Sequence, residues 1–409
     1  MVYCETMACK QSCFTSQGIT NGIDMNIKNL PLLNAIIAVF TVGLCWGIII
    51  PVTSVILEGM AVATPVIGLM ASAIFIGMAI GAPGVGKLIE RFGIKPVLLS
   101  GLTVSGVLMV ILALFTSVPI WIALRFALGI TFGAVIISSE VLINLVSSDD
   151  NRGRNLGLYA FAFSFSLMIT PVALWLVTFG TGVPFIFGGL ACLTAAFFMR
   201  TTIRVDRRDT SAAPSLVQRL FTRISLSLMT NFIAGFMEGS LIALIPLYAL
   251  REGFNPVQTG ILLSAFMIGH GGSPPFIGML ADRIGLRRVL ALVYLLGIAV
   301  FVIIVAGTFR MGLAVPLMLA GMSVGALYPL AVGIIGERLS SEDLPRGNAM
   351  ITAAYGMGSI LGPLLPSIIM HVTAPRSLFI ISAFLYVVVL IVMRLQSRQK
   401  SSDREREGV

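Results

Sequence analysis

Long apolar runs broken by short polar stretches divide most of the chain into twelve segments, at 32–57, 63–85, 97–117, 119–142, 155–178, 182–199, 224–249, 256–280, 289–309, 312–335, 348–371 and 376–395. Each is close to the ~20 residues that an α-helix needs to cross the hydrocarbon core of a bilayer. The narrowest break, Ser117-Val118-Pro119, separates the third segment from the fourth. The pattern predicts an all-α polytopic membrane protein with twelve transmembrane helices. Composition agrees: 57% of the 409 residues are apolar and 11% charged, where a soluble protein carries about 25% charge. A single hydrophobic core also stops growing near ~250–300 residues. The surplus apolar surface is expected to face lipid.

A net charge of +9 is compatible with a nucleic-acid partner or with basic loops beside a membrane. The positions of the cations decide between them. With an even number of spans both chain ends share one side, and 23 of the 27 Lys and Arg residues fall on that side. Three, Arg251, Arg310 and Arg376, fall on the other, and Arg125 lies inside a span. By the positive-inside rule both termini are cytoplasmic, and a nucleic-acid partner is not expected. The first 30 residues do not read as a signal peptide, because Cys4, Glu5, Lys10 and Gln11 interrupt any apolar stretch. Cys4, Cys9 and Cys13 have no histidine nearby and no usual zinc spacing, so no metal is expected. Met25, just before the first span, is a candidate start of translation.

The chain also repeats. Pro83, Gly86, Leu88, Glu90, Arg91 and Gly93 after the second span match Pro275, Gly278, Leu280, Asp282, Arg283 and Gly285 after the eighth, every pair 192 residues apart. Arg152-Gly153 echoes Arg346-Gly347 at an offset of 194. Two pseudo-symmetric six-helix halves, 32–199 and 224–395, are therefore expected. A central loop at 200–223, an N-terminal segment at 1–31 and a tail at 396–409 complete the chain.

These two loops, Gly86-Lys-Leu-Ile-Glu-Arg-Phe-Gly-Ile-Lys95 and Gly278-Met-Leu-Ala-Asp-Arg-Ile-Gly-Leu-Arg-Arg288, resemble the G-x-L-x-D-R-x-G-R-K loop of major facilitator superfamily transporters. Arg125-Phe-Ala-Leu-Gly129 resembles that family's R-x-x-x-G stretch. The resemblance runs from about residue 30 to 395 and is nearest to bacterial efflux members of the drug- and sugar-exporting branches. It implies that Gly86, Glu90, Arg91, Gly93, Gly278, Asp282, Arg283 and Gly285 form cytoplasmic gating loops that latch the halves together while the transporter faces outward. It also implies a coupling role for Arg125, and a central cavity lined by helices 1, 4, 7 and 10. Near mid-depth those helices offer Trp46, Phe132, Phe236 and Tyr328 for enclosing an amphipathic substrate or for packing. Exporters of the family often carry G-x-x-x-G-P on helix 5. Here Ser164-Phe-Ser-Leu-Met-Ile-Thr-Pro171 lacks the glycines, and the symmetric helix 11 reads Gly358-Ser-Ile-Leu-Gly-Pro363.

An ionisable group left within a span is costly enough to be a functional candidate. Glu238 stands near the middle of the seventh span, where a carboxyl is suited to taking up and releasing a proton, contacting substrate or joining helices by hydrogen bonds. Arg125 is expected to reach a wet vestibule and pair with Glu58, or to hold an anionic group. Glu140, near the cytoplasmic end of the fourth span, is expected to pair with a cytoplasmic arginine as a gate or to be a simple interfacial residue. His270, amid glycines and prolines that suggest a bendable eighth helix, is suited to titration near neutral pH or to hydrogen-bonded packing. There is no G-x-x-x-x-G-K-[ST] phosphate loop and no H-E-x-x-H motif. The reading is a cofactor-free, non-enzymatic, monomeric transporter of a small molecule, in a bacterial cytoplasmic membrane. It is expected to export its solute using the proton gradient. A proton-coupled importer or uniporter, and more remotely a non-transporting receptor or scaffold, are the alternatives.

Overall fold

The computed structural model describes residues 30–147, 151–202, 224–307, 312–340 and 343–406. The N-terminal cysteines, Met25 and residues 203–223 of the central loop lie outside the described residues. Helices fill nearly all of the rest. Span 1 is Leu30–Gly59, span 2 Thr64–Phe92, span 3 Ile94–Leu114 and span 4 Val118–Val146. Span 5 consists of Arg152–Leu167 and Thr170–Leu176, and span 6 is Val183–Thr202. In the second half span 7 is Ser225–Arg251, span 8 Pro256–Ile284 and span 9 Leu286–Ala306. Span 10 consists of Ala314–Gly325 and Leu327–Gly336, span 11 is Leu344–Val372 and span 12 Ser377–Arg406.

Two expected continuous helices are broken, each one turn before a proline. Pro171 has no N–H for the carbonyl of Leu167, and Pro329 has none for Gly325, so the ladder lapses there. Eleven of the described helices are long and apolar enough to cross a membrane. Span 8 has the length, 29 residues, but His270-Gly-Gly-Ser-Pro-Pro275 and Asp282-Arg283 lower its hydropathy. Burial sets two spans apart from the others. Spans 1 and 7 are 83% and 89% buried over their apolar cores, whereas spans 3, 6 and 9 are 44% buried and span 12 is 28% buried. The first two form the centre, and the last four pack pairwise, span 3 with span 6 and span 9 with span 12, as outer flanks.

The repeat is visible at atomic scale. Span 2 packs on span 4 and span 8 on span 10; span 1 on span 5 and span 7 on span 11; span 3 on span 6 and span 9 on span 12. A Cβ added to Gly77 would lie 2.0 Å from the carbonyl oxygen of Phe126, and one added to Gly269 would lie 1.8 Å from that of Met318. Gly129 and Gly321 press equally closely on Ile74 and Phe266. All four relations keep the offset of 192, so both halves cross these helices backbone to backbone at equivalent points. The same register returns in span 5, where Pro171 faces Gly260 while Pro363 faces Gly68. The echo of Arg152-Gly153 in Arg346-Gly347 is therefore two residues out of structural register, and Arg154 is the counterpart of Arg346.

Contacts between the halves run from mid-depth to the side away from the chain ends. Gly68 approaches Pro363 and Ser367, Gly260 approaches Pro171, and Ser72 donates to the Ile360 carbonyl over 2.6 Å. At the far rim Arg251 forms a two-pronged pair with Glu58, at 2.6 and 2.9 Å, and also donates to Thr64. Nearby, Arg376 pairs with Glu252, which holds the guanidinium above its ordinary pKa. Toward the chain ends spans 2, 5, 8 and 11 stand clear. A Cβ on Gly86, Gly157, Gly278 or Gly356 would meet open space. The molecule is sealed on the far side and parted on the side of its chain ends.

Candidate functional site

Glu238 is the central residue of span 7 and His270 the central residue of span 8. Glycines bring their neighbours within reach. Gly235 and Gly239 on span 7 meet Gly358 and Gly362 on span 11, each of these glycines lying against backbone of the facing helix. This contact sets Tyr355, one turn before Gly358, beside Glu238. The Tyr355 hydroxyl donates to Glu238 Oε2 over 2.5 Å, and His270 Nε2 lies 3.3 Å from the same oxygen. Ser359 in turn donates to the Tyr355 carbonyl, and the Tyr328 ring stands edge-on to the Tyr355 ring at 5.7 Å. Gly269 and Gly325 let the backbone around His270 press on span 10. The cluster therefore joins spans 7, 8, 10 and 11, all from the second half. It is not sealed: the Glu238 and His270 side chains are each 17% exposed, and Tyr328 is 42% exposed. A carboxylate oxygen shared by two donors can exchange either one for a proton or for a donor group on a ligand.

Tyr355 was not among the residues singled out from the sequence. The signal was available in the repeat: Tyr355 is the counterpart of Phe163, and Glu238 that of Trp46, both at offset 192. The Trp46 and Phe163 rings touch edge-on at 6.0 Å, so the contact is inherited and only its chemistry changed.

The other ionisable candidates lie elsewhere. Arg125 does not reach a vestibule and does not pair with Glu58. It is 1% exposed, and its guanidinium donates to the carbonyls of Met70 (2.9 Å) and Ile49 (2.5 Å) and to the Thr53 hydroxyl. Glycine-mediated packing of span 2 on span 4 leaves it no path outward, so it ties spans 1, 2 and 4 together. Glu58 is taken by Arg251 at the far rim. Glu140 is exposed, within electrostatic reach of Tyr159 and Tyr328; among the described residues no cation pairs with it, contrary to the gate expected there.

Of the expected cavity aromatics, Tyr328 alone is exposed. Phe132 is fully buried, and Phe236 and Trp46 are 5% and 8% exposed. Trp46 packs among Phe75, Phe132 and Phe163, which makes an aromatic core to the first half behind its gap-facing surface. The loop motifs close spans 2 and 8. Glu90 and Asp282 lie in the last turns of these spans, and both are exposed, as is Arg283. Arg91 sits over the Phe92 ring at 5.2 Å. Gly93 and Gly285, with φ of 88° and 90°, make the sharp joints to spans 3 and 9 that a side chain would strain. Gly86 and Gly278 touch no partner helix while this side is parted. Among the described residues there is no cluster of His, Cys, Asp and Glu fit to hold a metal.

Comparison with known proteins agrees with this architecture. The sequence profile of the Major Facilitator Superfamily matches residues 35–230 and again 227–408, once per half. The MFS-type transporter YfkF of Bacillus subtilis is 29% identical over 350 residues, covering 82% of this chain and 88% of its own length. YcaD of Escherichia fergusonii, also an MFS-type transporter, is 25% identical over 349 residues, covering 82% and 88%. Among solved structures, a bacterial homolog of the human lysosomal transporter Spinster, inward-facing and unoccupied, superposes with a TM-score of 0.77. It has 13% identity and covers 91% of this chain and 98% of its own. The nucleoside transporter NupG superposes with a TM-score of 0.73 at 15% identity, covering 91% and 99%.

Proposed function

The chain belongs to the major facilitator superfamily of membrane transporters and is not an enzyme, and from that premise we propose that it couples export of a small organic solute to proton entry by alternating access. The observation that carries the reading is Glu238, a partly exposed carboxylate at mid-depth whose Oε2 is shared by Tyr355 and His270. While ionised, Glu238 holds spans 8 and 11 to span 7. A proton arriving on Oε2 takes the place of one donor and loosens that half beside the gap. Solute carrying a hydrogen-bond donor or positive charge competes for the same oxygen, so solute and proton bind alternately. That alternation is the requirement of an antiporter. Export rests on the resemblance to exporting branches, and Arg125, the candidate for holding an anionic group, is buried. With 23 of 27 cations on the side of the chain ends, that side is assigned to the cytoplasm of a bacterial cell, and the parted face is the inward one.

The test is flux in proteoliposomes under an imposed pH gradient, with the solute chosen by a thermal-shift screen over compound classes. Wild type should concentrate solute against its gradient, with the sign of the pH gradient setting the direction. Glu238→Gln should still equilibrate solute but lose gradient-driven accumulation. Wild-type flux indifferent to the pH gradient would overturn the proposal.

A further inference from the structure

A second site lies on the lipid-facing side of the molecule, outside the transport path. Spans 9 and 12, with Leu226 of span 7, line a groove of about 500 Å³ on the side of the chain ends. Its walls are apolar, with Leu295 and Ile298 from span 9 and Val387 and Ile391 from span 12, and its mouth carries Arg287 and Arg394. Arg287 is the second residue of span 9, so both guanidiniums stand at the membrane edge on the side where most cations gather. From Arg287 to Ile298 is eleven residues, ~16 Å along the helix at ~1.5 Å per residue. That matches one leaflet, half of the ~30 Å hydrocarbon core. We infer that this groove holds an anionic phospholipid, its phosphate between Arg287 and Arg394 and an acyl chain along Leu295 and Ile298.

The chemistry is specific on two counts. Guanidinium forks bind phosphate oxygens in pairs, which a zwitterionic headgroup partly satisfies from within itself and an anionic one does not. The first half also lacks the double-arginine rim: the counterparts of Arg287 and Arg394 at offset 192 are Lys95 and Thr202. The site thus belongs to the half that carries Glu238. Span 12 is the least buried of the outer flanks, so a bound chain would fill a face that the protein leaves open.

The experiment is native mass spectrometry and thermal unfolding of the full chain, in nanodiscs of phosphatidylcholine with and without phosphatidylglycerol. Wild type should retain one phosphatidylglycerol in preference to phosphatidylcholine and unfold at higher temperature when it is present. At about fivefold per arginine near the membrane surface, Arg287→Gln with Arg394→Gln should lose roughly 25-fold of that preference, while lysine at both positions keeps most of it. Leu295→Trp, which fills the groove without altering charge, should also release the lipid. Lys95→Gln, in the first half, should leave the preference unchanged. Equal retention of the two lipids by wild type, or a preference that survives the double glutamine variant, would overturn the inference. Neither result bears on Glu238.

Discussion

The two halves share one set of helix crossings but have opposite chemistry at the centre. In the first half the positions around mid-depth hold Trp46, Met78, Ile136 and Phe163; their counterparts in the second, each 192 residues on, are Glu238, His270, Tyr328 and Tyr355. One glycine contact recurs beside both groups, with Gly43 against the Phe163 carbonyl and Gly235 against that of Tyr355. Four apolar side chains on one side thus correspond to four hydrogen-bonding or titratable ones on the other. The difference teaches a division of labour at mid-depth: the first half presents an aromatic wall there, and the groups on which the proposed proton coupling rests lie in the second. A carboxylate at Glu238 is tolerable in the membrane because two donors and partial exposure offset its desolvation. No such partners surround Trp46.

The sharpest way to break that comparison is to give the second half the residues of the first. Tyr355→Phe removes a hydrogen bond to a carboxylate, worth ~1.5–3 kcal/mol, and should cut pH-gradient-driven accumulation by on the order of tenfold or more while solute exchange persists. His270→Met should weaken gradient-driven accumulation, because one of the two groups sharing Glu238 Oε2 is gone. The reverse change, Met78→His, should do neither, since no carboxylate faces it. Flux assays across a series of pH values read all three. If Met78→His alters coupling as strongly as His270→Met, the division between the halves fails.

A smaller effect tests the shared scaffold. Gly129→Ala and Gly321→Ala each place a methyl about 2.0 Å from a backbone carbonyl of the facing helix. Overpacking of this kind costs ~1–3 kcal/mol, and because the two crossings are equivalent the two variants should lose thermal stability alike. Unequal losses would mean that the halves differ in their frame as well as in their chemistry.

Both the shared frame and its different filling were partly legible in the amino-acid pattern, for distinct reasons. Helix positions followed from hydropathy because lipid leaves no alternative for an apolar run of this length. Glu238 and His270 stood out because a polar group within a span is rare. The breaks before Pro171 and Pro329 needed only a count back to the residue whose carbonyl loses its donor. Tyr355 escaped because a tyrosine in an apolar helix is unremarkable in isolation, and only the register of the repeat sets it against Glu238. The pairing of Glu58 with Arg251 escaped because it joins the far ends of two central helices, 193 residues apart. Sequence spacing holds no trace of such a contact.

Arg125 is where charge and role part company, and it yields the smallest expected effect. An arginine inside a span invites a coupling role, yet this one bonds to two carbonyls and a hydroxyl and touches no acid. Its counterpart in the second half is Leu317, which is fully buried in the same setting. Arg125→Leu therefore imports a solution that the fold already uses. The carbonyls it vacates belong to continuous helices, and Thr53 still donates to the Ile49 carbonyl over 2.6 Å, so no acceptor is stranded. Replacing a buried charge by a well-packed apolar side chain is often neutral or stabilising, and the lost bonds oppose that gain. Unfolding stability should move by less than ~1–2 kcal/mol, and the solute gradient sustained by a given pH gradient should not change. Loss of accumulation in Arg125→Leu with the fold intact would place a coupling group in the first half. The partition between an aromatic wall and a titrating one would then have to be abandoned.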